Sequence, residues 1–228
     1  MTADPDAAAV PDLDDLYAAR FPPGEAARRS AIWIELTRYL ARFIPPESTV
    51  LDLACDRGDF INHVVARERW AVDVRDVRSE LQPGVSFVQS DGLAIGSRFA
   101  AETFDVVFMS NYLEHLASAE VVVDQLRAVA QVLKPGGQAI ILQPNIRLVG
   151  GAYWDFLDHR TALTERSLEE AGSLAGLETA KLITRFLPYT TKSKMPQHPL
   201  LVRAYLAIPL AWRLLGRQTL YVGRRPAR

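Results

Sequence analysis

Residues 50–60 read Val-Leu-Asp-Leu-Ala-Cys-Asp-Arg-Gly-Asp-Phe, an apolar β-rich run that ends in a tight, charged turn opening toward a helix. In α/β proteins such a strand and turn hold a nucleotide against the turn's backbone amides. Working outward, four more β-rich runs follow at residues 71–74, 86–89, 104–109 and 138–143. Helical spacing fills 59–67 and 119–133, and the second helix is predicted to stop at Lys134-Pro135-Gly136-Gly137. Strands alternating with helices predict an α/β fold, a doubly wound and mostly parallel sheet with ligands just beyond the carboxyl ends of its strands.

The flanks are read the same way. Residues 1–15 lack periodicity and are predicted to be a frayed tail. In 24–46 the apolar Ile32, Leu36, Tyr39, Leu40 and Phe43 recur at three and four until Pro45-Pro46 stop the run, which predicts an amphipathic helix. Later come a helix over 164–176 capped by Thr164, a strand over 180–186, helical 200–215 and a strand over 219–222. The organisation expected is a tail with lid helices over 1–47, a ligand-binding core over 48–186, a basic helical cap over 187–218 inserted before the last strand, and that strand with a tail over 219–228.

Composition bounds the function. The 228 residues are 49% hydrophobic and 23% charged, enough for one globular domain with a core and too apolar for a disordered chain. The net charge of -1 is a cancellation: residues 1–178 carry sixteen basic against 27 acidic residues, and residues 179–228 carry ten basic residues and no acidic one. The single Cys55 forms no internal disulfide, so a reducing, cytoplasmic setting is expected. The first ten residues are acidic and lack the apolar core of a signal peptide. The apolar run 204–212 contains Pro209 and falls short of the roughly 20 residues that span a bilayer, although it can lie on a membrane surface. Nucleic acid is disfavoured because no extended aromatic and basic stripe is present.

Charge also selects the ligand. Asp73, fifteen residues after Gly58 at the end of the second strand, suits the two hydroxyls of a ribose, and Asp91 after the third strand suits the exocyclic amine of adenine. Asp56 and Asp59 flank the place where a dinucleotide would put its pyrophosphate, and they repel it. A cationic adenosine ligand without phosphates, such as S-adenosylmethionine, fits better. Asp52, inside an apolar run, either meets ligand or ties down the loop's amides.

The segments VLDLACDRGDF, AVDV, FVQSDG, FDVVFMSNYLEHL and LKPGGQAIILQPN, spread over about residues 48–145, resemble the ordered motifs of class I S-adenosylmethionine-dependent methyltransferases. The resemblance implies a Rossmann-like fold and the S-adenosylmethionine cofactor. It places Asp52, Ala54, Asp56 and Gly58, with Cys55 in the same turn, around the methionine end, Asp73 on the ribose, Asp91 and Gly92 at the adenine, and Asn111 beside the sulfonium. Ala54 and Asp56 stand where that family usually has glycine. The segments PNIRLVGGAYWDFLDHRTALTERSL and RFLPYT are similar to bacterial methyltransferases associated with polysaccharide or sugar biosynthesis, which implies a sugar-type acceptor.

The candidate bases are His115, in the segment 111–115 that is predicted to begin a helix after the fourth strand, and His159, which can form an oriented pair with Asp158. For His115 the alternative is a structural hydrogen bond, and for the Asp158–His159 pair it is a capped, partly buried loop anchored by Trp154. No spacing of His, Asp and Glu indicates a metal site, and none is expected. The basic cap can wall an anionic acceptor, complement the acidic body or settle on anionic lipid. Transfer of a methyl group to a hydroxyl or amine is the leading expectation. Its rivals are an S-adenosylmethionine cyclase or lyase releasing methylthioadenosine, and a catalytically silent binding protein.

Overall fold

The computed structural model describes residues 26–189 and 198–227. Helix α1 (Ala26–Leu40) leads into strands β1 (Thr49–Leu53), β2 (Glu68–Asp73) and β3 (Val85–Gln89), then the short α2 (Ile95–Arg98) and β4 (Phe104–Ser110). Helix α3 (Ala119–Val132), β5 (Leu133–Pro144), α4 (Ile146–Val149), α5 (Glu165–Leu174) and β6 (Glu178–Leu187) follow. The cap is α6 (Pro199–Ala207) and α7 (Pro209–Leu215), and β7 (Gln218–Arg224) comes last.

The sheet order is β3-β2-β1-β4-β5-β7-β6. β7 runs antiparallel between β5 and β6, and the other pairs are parallel. The order reverses between β1 and β4, so the switch point lies where Asp52 and Phe108 stand opposite one another in the ladder.

Alternation along each strand divides the core in two. Val50, Val106, Phe108, Ile140, Leu142, Leu220 and Val222 face α1 and the cap. Leu51, Leu53, Val107, Met109, Ala139, Ile141 and Tyr221 face α3 and α5. From α1, Leu36, Tyr39 and Leu40 enter the first layer, and Tyr39 meets Phe186 and Trp212 at ring separations of 4.9 and 5.7 Å. Each such aliphatic side chain contributes about 1.5–3 kcal/mol by leaving water, so helix α1 is held by its buried face. Val122, Leu126, Val129 and Val132 do the same for α3. Its first turn is capped by Ser118, and α5 by a capping box of Thr164 and Ser167.

Four local expectations are corrected. Residues 57–63 form turns rather than a helix over 59–67; the Arg69 guanidinium takes the carbonyls of Ile61 and Asn62, which a continuing helix would have used itself. Residues 134–137 do not close α3 as a free turn. They open β5, where Gly136 donates to the Arg225 carbonyl and Gly137 accepts from the Arg225 amide. The run 200–215 is two helices broken at Ile208, because Pro209 has no amide to continue the first. After β4 the chain makes one 3-10 turn, Leu113–His115, before α3 begins.

Candidate functional site

The turn after β1 has an unusual backbone. Ala54, Asp56 and Gly58 have φ of 57, 49 and 71°, so every second residue is left-handed. Two of the three are L-residues in a region that favours glycine. Gly58 has a packing reason as well, since a Cβ there would lie 2.5 Å from Leu81. The loop is tied to β2: the Cys55 amide donates to the Val72 carbonyl at 3.1 Å, and the Asp56 amide to Asp73 Oδ2 at 2.9 Å. Asp73 Oδ1 accepts from the Arg75 amide at 3.0 Å.

Four carboxyl groups meet here. Burial pushes the Asp52 carboxyl well above the usual carboxylate range, and Asp73, Asp59 and Asp56 push it the same way against the Ile61 amide that donates to it. Burial also raises Asp73, against the amide and guanidinium of Arg75. It raises Asp59 against Arg29. The Asp56 carboxylate accepts from Arg29 at 2.8 Å and Arg75 at 2.6 Å, and Arg29 also pairs with Asp59. Arg29 belongs to the first turn of α1, and the next residue, Ser30, bonds His63 at 2.8 Å. The repulsion of phosphate expected from Asp56 and Asp59 is thus partly offset by two arginines of the protein's own.

The remaining expected cofactor residues divide. Asp91 caps a 3-10 turn, its Oδ1 accepting from the Leu93 amide at 2.7 Å. Gly92 is buried under Tyr112 and Gln125, whose side chains bond each other at 2.8 Å; a Cβ would stand 2.2 Å from the Tyr112 hydroxyl. Gly92 therefore has a packing reason of its own. Asn111, at the end of β4, is left-handed with φ 49°. The Cys55 side chain turns into the core beside α1, which leaves only its backbone for a ligand, and burial pushes its thiol far up.

The second group of polar residues lies beyond β4 and β5. His115 Nδ1 stands 3.0 Å from the Asp158 carbonyl oxygen and 3.3 Å from Asp158 Oδ2. Asp158, expected to orient His159, thus has His115 as a partner. The His159 ring lies in an aromatic cluster with His115, Tyr153 and Phe156 at 5.1, 4.9 and 5.0 Å. Beneath them Glu114 is 1% exposed. It accepts from Gln143 at 3.0 Å, and its carbonyl accepts from the amides of Arg160 and Thr161. Burial raises its carboxyl, opposed by His115. Glu114, His115 and His159 each bring a donor atom within 4.8 Å of the others, a juxtaposition that their spacing in the chain does not announce. His198 is the cap of α6, accepting from the Leu200 amide at 3.3 Å. Residues 1–25 of the expected tail and lid lie outside the described residues.

A family description, "Methyltransferase domain", matches residues 26–182. The chain belongs to that family and is an S-adenosylmethionine-dependent methyltransferase of the class I, Rossmann-like kind. No curated protein matches the sequence. Among solved structures, an S-adenosylmethionine-dependent methyltransferase from Archaeoglobus fulgidus superposes with a TM-score of 0.65 at 19% identity, covering 93% of this chain and 100% of that one. A chain of the complex between the Trm112 methyltransferase activator of Haloferax volcanii and a methyltransferase has a TM-score of 0.67 at 20% identity, covering 95% and 96%. The [4+2]-cyclase SpnF has a TM-score of 0.60 at 19% identity, covering 86% and 81%. These similarities concern the fold.

The donor set fits the cofactor. Its amino-acid end carries an ammonium, a sulfonium and a carboxylate, and the turn after β1 offers carboxylates and guanidinium groups side by side. Among the described residues, no helix is long and apolar enough to cross a membrane.

Proposed function

We propose that the protein transfers the methyl group to a hydroxyl, or an amine, of a small-molecule or sugar-type acceptor in a biosynthetic pathway, with His115 as the base. The observation that carries this reading is the pairing of His115 Nδ1 with the main-chain carbonyl and Oδ2 of Asp158. A proton held on Nδ1 by that pairing leaves Nε2 to accept one from an acceptor hydroxyl. His159 packs beside it and is the second candidate.

S-adenosylmethionine supplies a methyl group made electrophilic by the positive sulfur. Asp73 accepts a backbone amide on each oxygen and has Arg75 Nε 3.4 Å from Oδ1, so of a carboxylate's about four lone pairs the second one on Oδ2 is left for a ribose hydroxyl. Asp91 keeps Oδ2 for the adenine amine. Asp52, Asp56 and Gly58 shape the place for the methionine end with the backbone of Ala54 and Cys55, and Asn111 lies beside the sulfur. Arg217, which follows the cap and reaches the Leu148 carbonyl, brings positive charge to the acceptor side and suits an anionic acceptor, and the lone buried Cys55 fits a reducing, cytoplasmic setting.

The test pairs calorimetric binding of S-adenosylhomocysteine with release of that product from S-adenosylmethionine across monosaccharides, sugar phosphates and amines. Binding with turnover that His115→Ala removes supports the reading; turnover indifferent to both His115→Ala and His159→Ala sinks it. A second reading rests on Ala54 and Asp56 in place of glycine: cyclisation or elimination on S-adenosylmethionine itself. Methylthioadenosine formed from S-adenosylmethionine alone would establish that reading, whereas binding without any product identifies a silent binding protein.

A further inference from the structure

The outer face of the cap has a composition that methyl transfer does not use. Leu206 and Trp212 turn inward, and the Tyr205 hydroxyl and Trp212 indole bond the carbonyls of Phe186 and Tyr205 at 2.7 and 2.8 Å. Outward, Leu200 and Leu210 are 65% exposed and Leu214 is 77% exposed, with Leu201, Ile208 and Leu215 between them at 40–53%. Large apolar side chains gathered this densely mark a contact surface rather than scattered exposure.

Charge selects the occupant. Arg203 and Arg213 are exposed among the leucines, and residues 179–228 hold ten basic residues and no acidic one. A second copy meeting this face would bring the same sign of charge against it, which disfavours a symmetric dimer here. Beside the leucines, a groove of about 460 Å³ lies between β6 and α7, with Leu182, Ile183, Pro209 and Trp212 on its apolar walls and Arg185 and Arg213 on its polar ones. Guanidinium groups next to apolar walls match a phosphate joined to acyl chains. Helices of nine and seven residues cannot span a bilayer but can lie at the depth of its head groups.

We infer that residues 199–215 dock the protein on a bilayer bearing anionic phospholipid, with the leucines in the acyl boundary, Arg203 and Arg213 at the phosphates, and the groove beside α7 receiving one lipid. The segments that flank the cap reach the candidate acceptor side: Arg217 donates to the Leu148 carbonyl at 2.6 Å, and Tyr189 packs on Phe156 at 6.2 Å. Docking there brings that side near the membrane.

The experiment is sedimentation of the full-length protein with vesicles of phosphatidylglycerol or of phosphatidylcholine, at low and high salt. The expected result is binding to phosphatidylglycerol that salt weakens and little binding to phosphatidylcholine. Arg203→Gln and Arg213→Gln should each cost about fivefold in vesicle affinity. Leu210→Ser with Leu214→Ser should cost more, with the melting temperature and S-adenosylhomocysteine affinity of every variant unchanged. No binding to phosphatidylglycerol overturns the proposal. So does a concentration-dependent dimer in sedimentation equilibrium that the leucine variants dissolve, or binding that ignores both arginines and salt.

Discussion

The Asp56 carboxylate stands 2.6 Å from the Arg75 guanidinium, and the same residue has φ 49° where a glycine would be unstrained. The side chain thus anchors a turn that its own Cβ strains, and Arg29 at 2.8 Å extends the anchor to α1.

Two substitutions separate those effects. Asp56→Ala loses both pairs and keeps the strain, and is expected to cost about 2 kcal/mol. Asp56→Gly loses the same pairs but relaxes the backbone, and should be about 1 kcal/mol more stable than the alanine variant. Urea unfolding compares the two, and coincident midpoints would remove strain from the account.

Asp52 makes stability depend on pH in a defined direction. Its carboxyl is raised in the folded state, so the fold binds that proton more tightly than the unfolded chain does. The resulting stability is present below the unfolded carboxylate range, near 4, and is lost as pH rises through the higher folded value. Asp52→Asn keeps an acceptor for the Ile61 amide and cannot ionise. Its melting temperature should gain on the parent protein as pH rises from about 4 to 7, and a constant difference would refute the assignment.

Gly92 and Tyr112 should be coupled. A methyl at Gly92 would stand 2.2 Å from the Tyr112 hydroxyl and 2.7 Å from Gln125 Oε1. Gly92→Ala is expected to cost about 1–3 kcal/mol. The penalty should shrink in a Tyr112→Phe background without vanishing, because the ring carbon is still 3.0 Å away. A double-mutant cycle by chemical denaturation reads the coupling; strict additivity would deny the contact.

The pair at the acceptor side makes a kinetic prediction. His115→Ala should lower kcat by about 10²- to 10⁴-fold, with S-adenosylhomocysteine affinity retained. Asp158→Asn should cost less, because the main-chain carbonyl of Asp158, 3.0 Å from Nδ1, still orients the ring. If Asp158→Asn were the more severe of the two, His115 would not be the base.

The sheet was legible in the sequence because parallel strands buried on both faces leave continuous apolar runs. The acidic strand ends were legible because they follow those runs in order. Arg29 and Arg75 were not, since each reaches Asp56 across 27 and 19 residues, and such a pairing leaves no periodic trace. Asp158 was matched to its sequence neighbour His159, yet a turn brings it to His115, 43 residues away. The burial of Glu114 leaves no trace in the sequence; it is tolerated because Gln143 on β5 donates to its carboxyl and His115 stands beside it. The helix missing after Gly58 was lost to a side chain of β2, which local propensity cannot foresee.

The position of β7 governs how the chain must fold. Among the described residues β6 pairs only with β7, and β7 fills the place beside β5, so residues 218–224 are a keystone set after the stones on either side. During synthesis the apolar edge of β5 and the whole of β6 stay open until those residues leave the ribosome. The nascent protein then carries an unfinished sheet for most of its length, a state prone to wrong pairing. A stop codon before residue 218 would therefore remove an interior strand and leave β6 without its partner.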